Sequence, residues 1–367
     1  MDRKNSKGGK IVLIHFVLRF HDDTPSGGRK ILYEYANYLA ERGHQICITF
    51  VADTPFRARK WNQLATIKHF RTFLLRKKFQ NHIDWFKLNK TIKVNYCFST
   101  KKISKRANEI LLAFDYGIAL SLGEQLDDFT HCFYLIQHDE KVYYDKKIVR
   151  QAWKLPYKKI VISTWLYNKV KKYDSNVYLV RNYVDTNDFF VTVPIESRSH
   201  IVSLIQHPNP SKGTIVGIEA LKIVKKNIPD LQVIMFGTHK PLYQLPNYYT
   251  YYENVNEDTL RNLIYNRSSI YILTSYLEGW GLTATEAMAC GAALVSTKNG
   301  GVDDFGIHEQ TALLSRPGDV EALARNIVTL LKNDSKRIRM GYAGESKVSK
   351  FTFEKSAKLF EEILLKE

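Results

Sequence analysis

The stretch from Ser269 to Gly291 constrains the fold more than any other part of the chain: Ser-Ile-Tyr-Ile-Leu-Thr-Ser-Tyr-Leu-Glu-Gly-Trp-Gly-Leu-Thr-Ala-Thr-Glu-Ala-Met-Ala-Cys-Gly. Ile270 to Thr274 carry the β-branched and aromatic side chains of a buried strand. A turn with Gly279 and Gly281 follows. Leu282 to Cys290 is rich in Ala, Leu, Met and Glu, which favour helix, and Gly291 is placed to end it. Strand, glycine turn and helix are half of an α/β unit. Free backbone N–H groups and the positive end of a helix dipole meet at such a turn and favour an anion. Glu278 precedes the turn and Glu286 lies one helical turn beyond it. Two acceptors beside an anion site fit a ligand with both phosphate and hydroxyl groups, such as a nucleotide sugar. Taken singly, Glu278 reads equally well as a helix cap and Glu286 as a solvated side chain; the combination with two glycines and a strand–helix switch favours the ligand.

Glu278, seven residues and Glu286, set in Glu-Gly-Trp-Gly-Leu and Glu-Ala-Met-Ala-Cys-Gly, resemble the signature of family-four retaining glycosyltransferases, the glycosyl transferases group 1, with the GT-B fold. The resemblance implies an α/β chain of two Rossmann-like domains facing a central cleft. Residues 1–192 would form the acceptor domain and 193–352 the nucleotide-sugar domain, with a linker near Thr192 to Ser199. A terminal helix over 353–367 would pack back on the first domain. The family also implies that Glu278 contacts the transferred sugar and Glu286 the ribose, with Gly279, Trp280, Gly281 and Leu282 lining the donor.

The length of 367 residues suits two domains, and 44% hydrophobic residues suffice for a core in each. Cys47, Cys97, Cys132 and Cys290 lack metal-ligand spacing and read as free thiols in a reducing compartment. The first ten residues are polar and basic, and no run of about 18 apolar residues occurs, so the expected location is cytoplasmic. The net charge of +17 calls for an anionic partner.

Ile11 to Phe20 reads as the first strand, followed by a turn-rich loop ending in Gly27-Gly28 and a helix over Arg29 to Arg42. Gly27 and Gly28 resemble the family's loop for donor diphosphate or acceptor. They do not make the Gly-x-Gly-x-x-Gly of a dinucleotide-binding dehydrogenase. Residues 56–90 interleave ten Lys and Arg with aromatics against a single acid, Asp84. Basic and aromatic residues at helical spacing predict a helix lying on an anionic membrane surface, on the inner face. The alternatives are aromatics packed into the N-terminal domain beneath a basic face, and nucleic-acid binding, which lacks a recognised module here. Asp115 to Leu122 is expected to be strand and turn. Tyr134 to Ile136 ends in Gln137-His138-Asp139-Glu140, polar residues at a strand end where α/β sheets bind ligands. The family has a His near the transferred sugar, and His138 is the match. Tyr-Leu-Ile-Gln-x-x-Glu followed by Tyr143-Tyr144 is loosely similar to rhamnosyltransferases.

In the second half, Lys212-Gly213 before a helix suits phosphate, an ammonium joined to helix N–H groups. It resembles the family's Lys-Gly, but His207 stands where the family carries Arg. An imidazole lacks the permanent charge and forked donors of guanidinium. Gly300-Gly301, in Asn-Gly-Gly-Val-Asp-Asp, resembles the family's turn against phosphate and sugar. The implied reaction is metal-independent transfer of a hexosyl or deoxyhexosyl group from a nucleoside diphosphate sugar to a glycan or lipid-linked hydroxyl, as in surface polysaccharide assembly. Anomeric configuration would be retained, and no cofactor beyond the donor is needed. His138, Lys212 and Glu278 would carry the chemistry. The competing readings are another GT-B activity (epimerase or phosphorylase) and a non-catalytic basic protein binding membrane or nucleic acid.

Overall fold

The computed structural model describes residues 11–20, 25–52, 54, 63–79, 83–142 and 145–366. The chain forms two compact units. Unit 1 runs to Ile162 and includes Leu166–Val180 and the residues from Ala357; unit 2 comprises Ser163–Trp165 and Arg181–Ser356.

Unit 1 is built on a seven-stranded parallel sheet ordered β3-β2-β1-β4-β5-β6-β7. Its strands are β1 (Leu13–Arg19), β2 (Gln45–Val51), β3 (Lys93–Cys97), β4 (Glu109–Ala113), β5 (Cys132–Ile136), β6 (Lys158–Val161) and β7 (Val177–Leu179). Every residue of β4 and β5 is buried, as expected for central parallel strands covered on both faces. The helices are α1 (Gly27–Glu41), α2 (Gln63–Phe79), α3 (Tyr116–Gly123), α4 (Lys146–Lys154) and α5 (Thr164–Val170), whose first two residues, Thr164 and Trp165, belong to unit 2. Ile31, Leu32, Tyr35, Ala36 and Leu39 form the buried face of α1. Gly27 and Gly28 belong to its first turn rather than to a loop ahead of it.

Asp115 to Leu122 is not strand and turn but the start of α3. The Asp115 carboxylate accepts from the Gly117 and Ile118 backbone N–H groups at 2.8 and 3.0 Å, a helix N-cap. The helix is buried on all sides, so it lacks the amphipathic period that marks a surface helix.

Unit 2 holds a six-stranded parallel sheet ordered β10-β9-β8-β11-β12-β13. The strands are β8 (Ile201–Ile205), β9 (Gln232–Gly237), β10 (Tyr249–Glu253), β11 (Ile270–Leu273), β12 (Ala293–Thr297) and β13 (Ala312–Ser315). The helices are α6 (Thr214–Asn227), α7 (Glu257–Thr259, continued by a π-helical turn over Leu260–Tyr265), α8 (Leu282–Ala289), α9 (Val320–Leu331) and α10 (Asp334–Val348). Val202, Leu204, Ile270, Ile272 and Val295 on the strands meet Leu221 and Val224 of α6 and Leu323 and Ile327 of α9 in the core.

The division between units falls at Val180/Arg181, ahead of the expected linker. Residues 192–199 are tied into unit 2 instead. Asn266 Oδ1 accepts from the Thr192 and Val193 N–H groups, and buried Arg198 donates to the carbonyls of Val193, Ser268 and Cys290. The last helix, α11 (Phe353–Leu365), sends Phe360 onto the Tyr35 ring at 4.4 Å in unit 1, where Glu361 accepts from Arg42 at 2.6 Å.

Of the basic segment, Phe56, Arg57, Arg59, Lys60 and Trp61 lie outside the described residues, as do Tyr143 and Tyr144. In the described part some aromatics are structural. Phe73 is buried against Phe20, and Trp85 and Phe86 pack on Tyr33. The outer face of α2 presents Ile67, Leu74 and Leu75, each at least half exposed, among exposed Lys68, Arg71 and Lys78. Arg76 is held by the Asp84 carboxylate.

Candidate active site

A doubly wound sheet binds ligands where strand order reverses, at the carboxyl ends of the two strands flanking that point. In unit 2 those strands are β8 and β11. The segment after β8 carries His207, Lys212 and Gly213; the segment after β11 carries Glu278 to Leu282. The sheet order alone therefore brings the two halves of the predicted donor site together.

The contact between them is direct. Lys212 Nζ lies 2.8 Å from both carboxylate oxygens of Glu278, and Ser275 Oγ donates to Glu278 Oε1 at 2.6 Å. Two main-chain ties fix the register: Tyr276 N–H donates to the Ser211 carbonyl and Thr274 Oγ1 to the Lys212 carbonyl. Gly213 adopts φ +65°, and a Cβ there would stand 2.1 Å from the Thr274 carbonyl oxygen. Only glycine lets the loop before α6 approach β11 this closely.

Gly281 precedes α8 with φ +112°. Glu278 pairs with Gly300 in a parallel bridge, and its N–H donates to the Asn299 carbonyl at 3.0 Å. Asn299 is buried and accepts from the Val302 N–H, shaping the glycine turn. Glu286 faces inward, where the buried Tyr265 hydroxyl donates to its Oε2 at 3.0 Å. Trp280 is buried against Phe305 and Phe351. It supports the turn from behind.

His207 Nδ1 accepts from the Asn209 N–H at 3.0 Å, so the neutral ring carries its proton on Nε2. Burial, followed by the nearby Lys212 ammonium, lowers its basicity below that of an ordinary histidine. It is a neutral N–H donor rather than a replacement cation. Arg181 is paired elsewhere in unit 2, its Nε donating to Asp304 at 2.6 Å.

His138, Gly27 and Gly28 belong to unit 1. Gln137, the residue before His138, donates from Nε2 to the Gly28 carbonyl at 3.3 Å. The end of β5 thus meets the first turn of α1. Two residues beyond His138, Glu140 is buried, accepting from the Tyr116 N–H at 2.8 Å and from the Tyr134 hydroxyl. Burial pushes its carboxyl up to about 8, with Asp115 adding to the effect.

Several supporting residues carry no local sequence signal. Ser275 and Tyr265 orient the two glutamates. Trp165 donates through Nε1 to the Gly279 carbonyl at 3.2 Å, and its ring lies where a Cβ on Gly300 would fall. Asp304 accepts from the Thr164 N–H and hydroxyl and from Arg181. A sequence reader sees only a Trp more than a hundred positions from the turns it supports.

Residues 185–347 match the family model described as glycosyl transferases group 1. The second half of the chain is a group 1 glycosyltransferase domain. Among curated relatives of this family, N-acetyl-alpha-D-glucosaminyl L-malate synthase of Bacillus anthracis is 35% identical over 97 residues, 26% of this chain and 26% of that protein. The glycosyltransferase YqgM of Bacillus subtilis is 27% identical over 150 residues, 38% of this chain and 42% of its own length. The chain thus spans less than half of either relative. The solved structure of Anabaena HepE in complex with UDP-glucose superposes with a TM-score of 0.70 at 17% identity, covering 96% of this chain and 99% of that one. The two units have the GT-B fold.

Proposed function

We propose that the chain transfers a sugar from a nucleoside diphosphate sugar, UDP- or dTDP-linked, to a hydroxyl of a glycan or lipid-linked acceptor, with retention at the anomeric carbon. The observation that carries this reading is the convergence of Lys212, the start of α8 and the Gly300–Gly301 backbone around Glu278 at the switch point of unit 2. Support comes from HepE, whose structure holds UDP-glucose.

Breaking the glycosidic bond puts negative charge on the departing diphosphate. Lys212, the N–H groups opening α8 and the His207 Nε2–H are donors fixed before that charge develops. Removing one such donor commonly costs about 3–4 kcal/mol of transition-state stabilisation. Glu278 orients sugar hydroxyls and Glu286 the ribose, contributing position rather than proton transfer. Retention follows if the acceptor enters on the face the diphosphate leaves, its proton passing to a departing phosphate oxygen. With that charge offset by side chains and backbone, the step is written without a metal.

The acceptor side belongs to unit 1, where the Gly27–Gly28 turn serves the acceptor or the donor diphosphate and His138 serves the transferred sugar. The outer face of α2 fits an anionic bilayer at the cytoplasmic surface, its three apolar side chains entering the interface and its lysines and arginine meeting head groups. Among the described residues no helix is long and apolar enough to cross a membrane.

Thermal unfolding with UDP, GDP and dTDP tests the donor site. A diphosphate at about 100 times its dissociation constant stabilises the native state by about 2.7 kcal/mol. The expected result is a shift with UDP or dTDP that Glu286→Ala diminishes. No shift with any of the three refutes the reading.

A further inference from the structure

Unit 1 contains a second chemical constellation that sugar transfer does not use. A cavity of about 680 Å³ is lined by the amino-terminal halves of β1 and β2 with β3 and the start of β4. That volume lies within the range of small-molecule sites, about 300–1,000 Å³. At its wall Cys47 of β2 is a half-buried free thiol. The Asn95 side-chain amide of β3 donates to its sulfur at 3.1 Å, and the Thr49 hydroxyl lies 3.9 Å from the sulfur. His15 Nε2 stands 2.7 Å from that hydroxyl, and His15 Nδ1 lies 3.1 Å from Glu109 Oε1 of β4.

The donor directions form a relay. Glu109 can only accept when ionised, so His15 Nδ1 carries a proton. When His15 is doubly protonated, Nε2–H donates to Thr49, whose own proton is then directed at the sulfur. With the imidazolium in place, the Asn95 amide and the Thr49 hydroxyl both point a hydrogen at Cys47, which suits a thiolate better than a thiol. The charges agree. Burial works against the His15 cation, but its contacts with Cys47 and Glu109 prevail and raise it to about 9. Burial would likewise raise Cys47, yet the His15 contact brings it below an ordinary thiol. Cys97 lines the same cavity, where burial outweighs the Ser99 backbone contact and the Lys77 and Lys102 charges and pushes it up to about 11. Lys93, Lys102 and Arg106 also line the cavity, with Glu109 as the single acid. A cationic pocket around a nucleophile selects an anionic electrophile.

We propose that this cavity is a thiol-exchange site, in which Cys47 reacts as a thiolate with an anionic low-molecular-weight disulfide. The Cys47 sulfur attacks one sulfur of the disulfide, its S–S bond breaks, and a Cys47 mixed disulfide forms. The other half leaves as thiolate and takes the proton that His15 holds on behalf of Cys47. Cys47 is oxidised, the reagent is reduced by the same two electrons, and a second thiol reverses the step.

The test is the reaction of the full-length chain with dithiobis(nitrobenzoate), an anionic aromatic disulfide. Free cysteine is only a few per cent thiolate at pH 7. Held as a thiolate in the proposed relay, Cys47, with its somewhat lower intrinsic nucleophilicity, should react about tenfold faster than free cysteine. Its rate changes little between pH 6 and 8, where an ordinary thiol gains nearly tenfold per unit. Peptide mapping of the wild type after sub-stoichiometric reaction places the label on Cys47, so the result does not depend on a variant folding. Cys47→Ser removes the fast phase, and His15→Gln restores ordinary pH dependence. Salt slows this reagent more than a neutral dipyridyl disulfide. A label on Cys97, Cys132 or Cys290, or a fast phase surviving Cys47→Ser, overturns the proposal. Ordinary pH dependence in the wild type also overturns it, and equal salt sensitivity of the two reagents overturns the anionic class.

Discussion

Gly301→Ala isolates the packing that shapes the donor turn. A Cβ at Gly301 would stand 2.4 Å from the Trp280 carbonyl oxygen and 2.8 Å from Glu278 Cβ, where ordinary contacts begin at 3.4 Å. The backbone must therefore open by about 1 Å, and the obstacle is a peptide group that cannot rotate away. The movement pulls against the 3.0 Å bond from Glu278 N–H to the Asn299 carbonyl. Overpacking of this kind costs about 1–3 kcal/mol. For a unit of this size each kcal/mol lowers the melting temperature by about 2–4 °C, so a fall of about 2–12 °C is expected. Because the displaced segment carries Glu278, stabilisation by diphosphate should shrink as well. Gly344→Ala is the control. Its Cβ would come closest to Met288 Cε at 3.0 Å, the free end of a flexible side chain, and it lies inside α10, where Ala is favoured over Gly by about 0.5–1 kcal/mol. Differential scanning fluorimetry of both variants with and without UDP measures the two effects. If Gly301→Ala melts with the control and keeps its UDP shift, the close approach at Gly301 does not shape the site.

Lys212→Met removes a charged hydrogen-bond donor and should weaken UDP binding by about 10- to 100-fold by calorimetry. An unchanged affinity would remove Lys212 from the diphosphate site. Glu140 titrates at about 8 folded against an ordinary value of 4.5 unfolded. The folded chain thus holds the extra proton between these values, and stability falls as pH rises from about 4.5 to 8. Denaturant unfolding of Glu140→Gln across that window should lose part of the slope; an identical slope would mean the carboxyl is not the titrating group. Neutralising Lys68, Arg71 and Lys78 together should abolish co-sedimentation with anionic vesicles, each cation contributing about 1 kcal/mol near the surface. Binding that survives this change places any membrane contact elsewhere.

The donor half of the site was legible because its information is local. Strand, glycine turn and helix follow one another within Ile270–Gly291, and the glycines declare where main chains approach. The sheet order then joins Lys212 to Glu278 without further signal. What escaped reading is what sequence distance hides. Trp165 against Gly300, Tyr265 beneath Glu286 and Asp304 on Thr164 are contacts chosen by tertiary packing. Arg198 misled for a different reason. A charged residue in a polar, proline-containing stretch looks like linker, whereas this guanidinium is buried and ties together carbonyls from three segments. α3 was missed because helix and strand look alike when every side chain is covered. In the basic segment the pattern Lys/Arg plus aromatic mixed two populations, core rings such as Phe73 and surface apolars such as Leu74 and Leu75, which only burial separates.

The last helix has a consequence for how the chain is made. Arg42 and Tyr35 emerge early from the ribosome, but their partners Glu361 and Phe360 are synthesised some three hundred residues later. At about 5–20 residues per second that interval is roughly 15–60 s. During it the early half must wait with the Tyr35 face of α1 uncovered, while residues 181–356 can complete their own core. The unit translated first is therefore finished last. A released chain ending at residue 356 should show a protease-resistant second half and a sensitive first half.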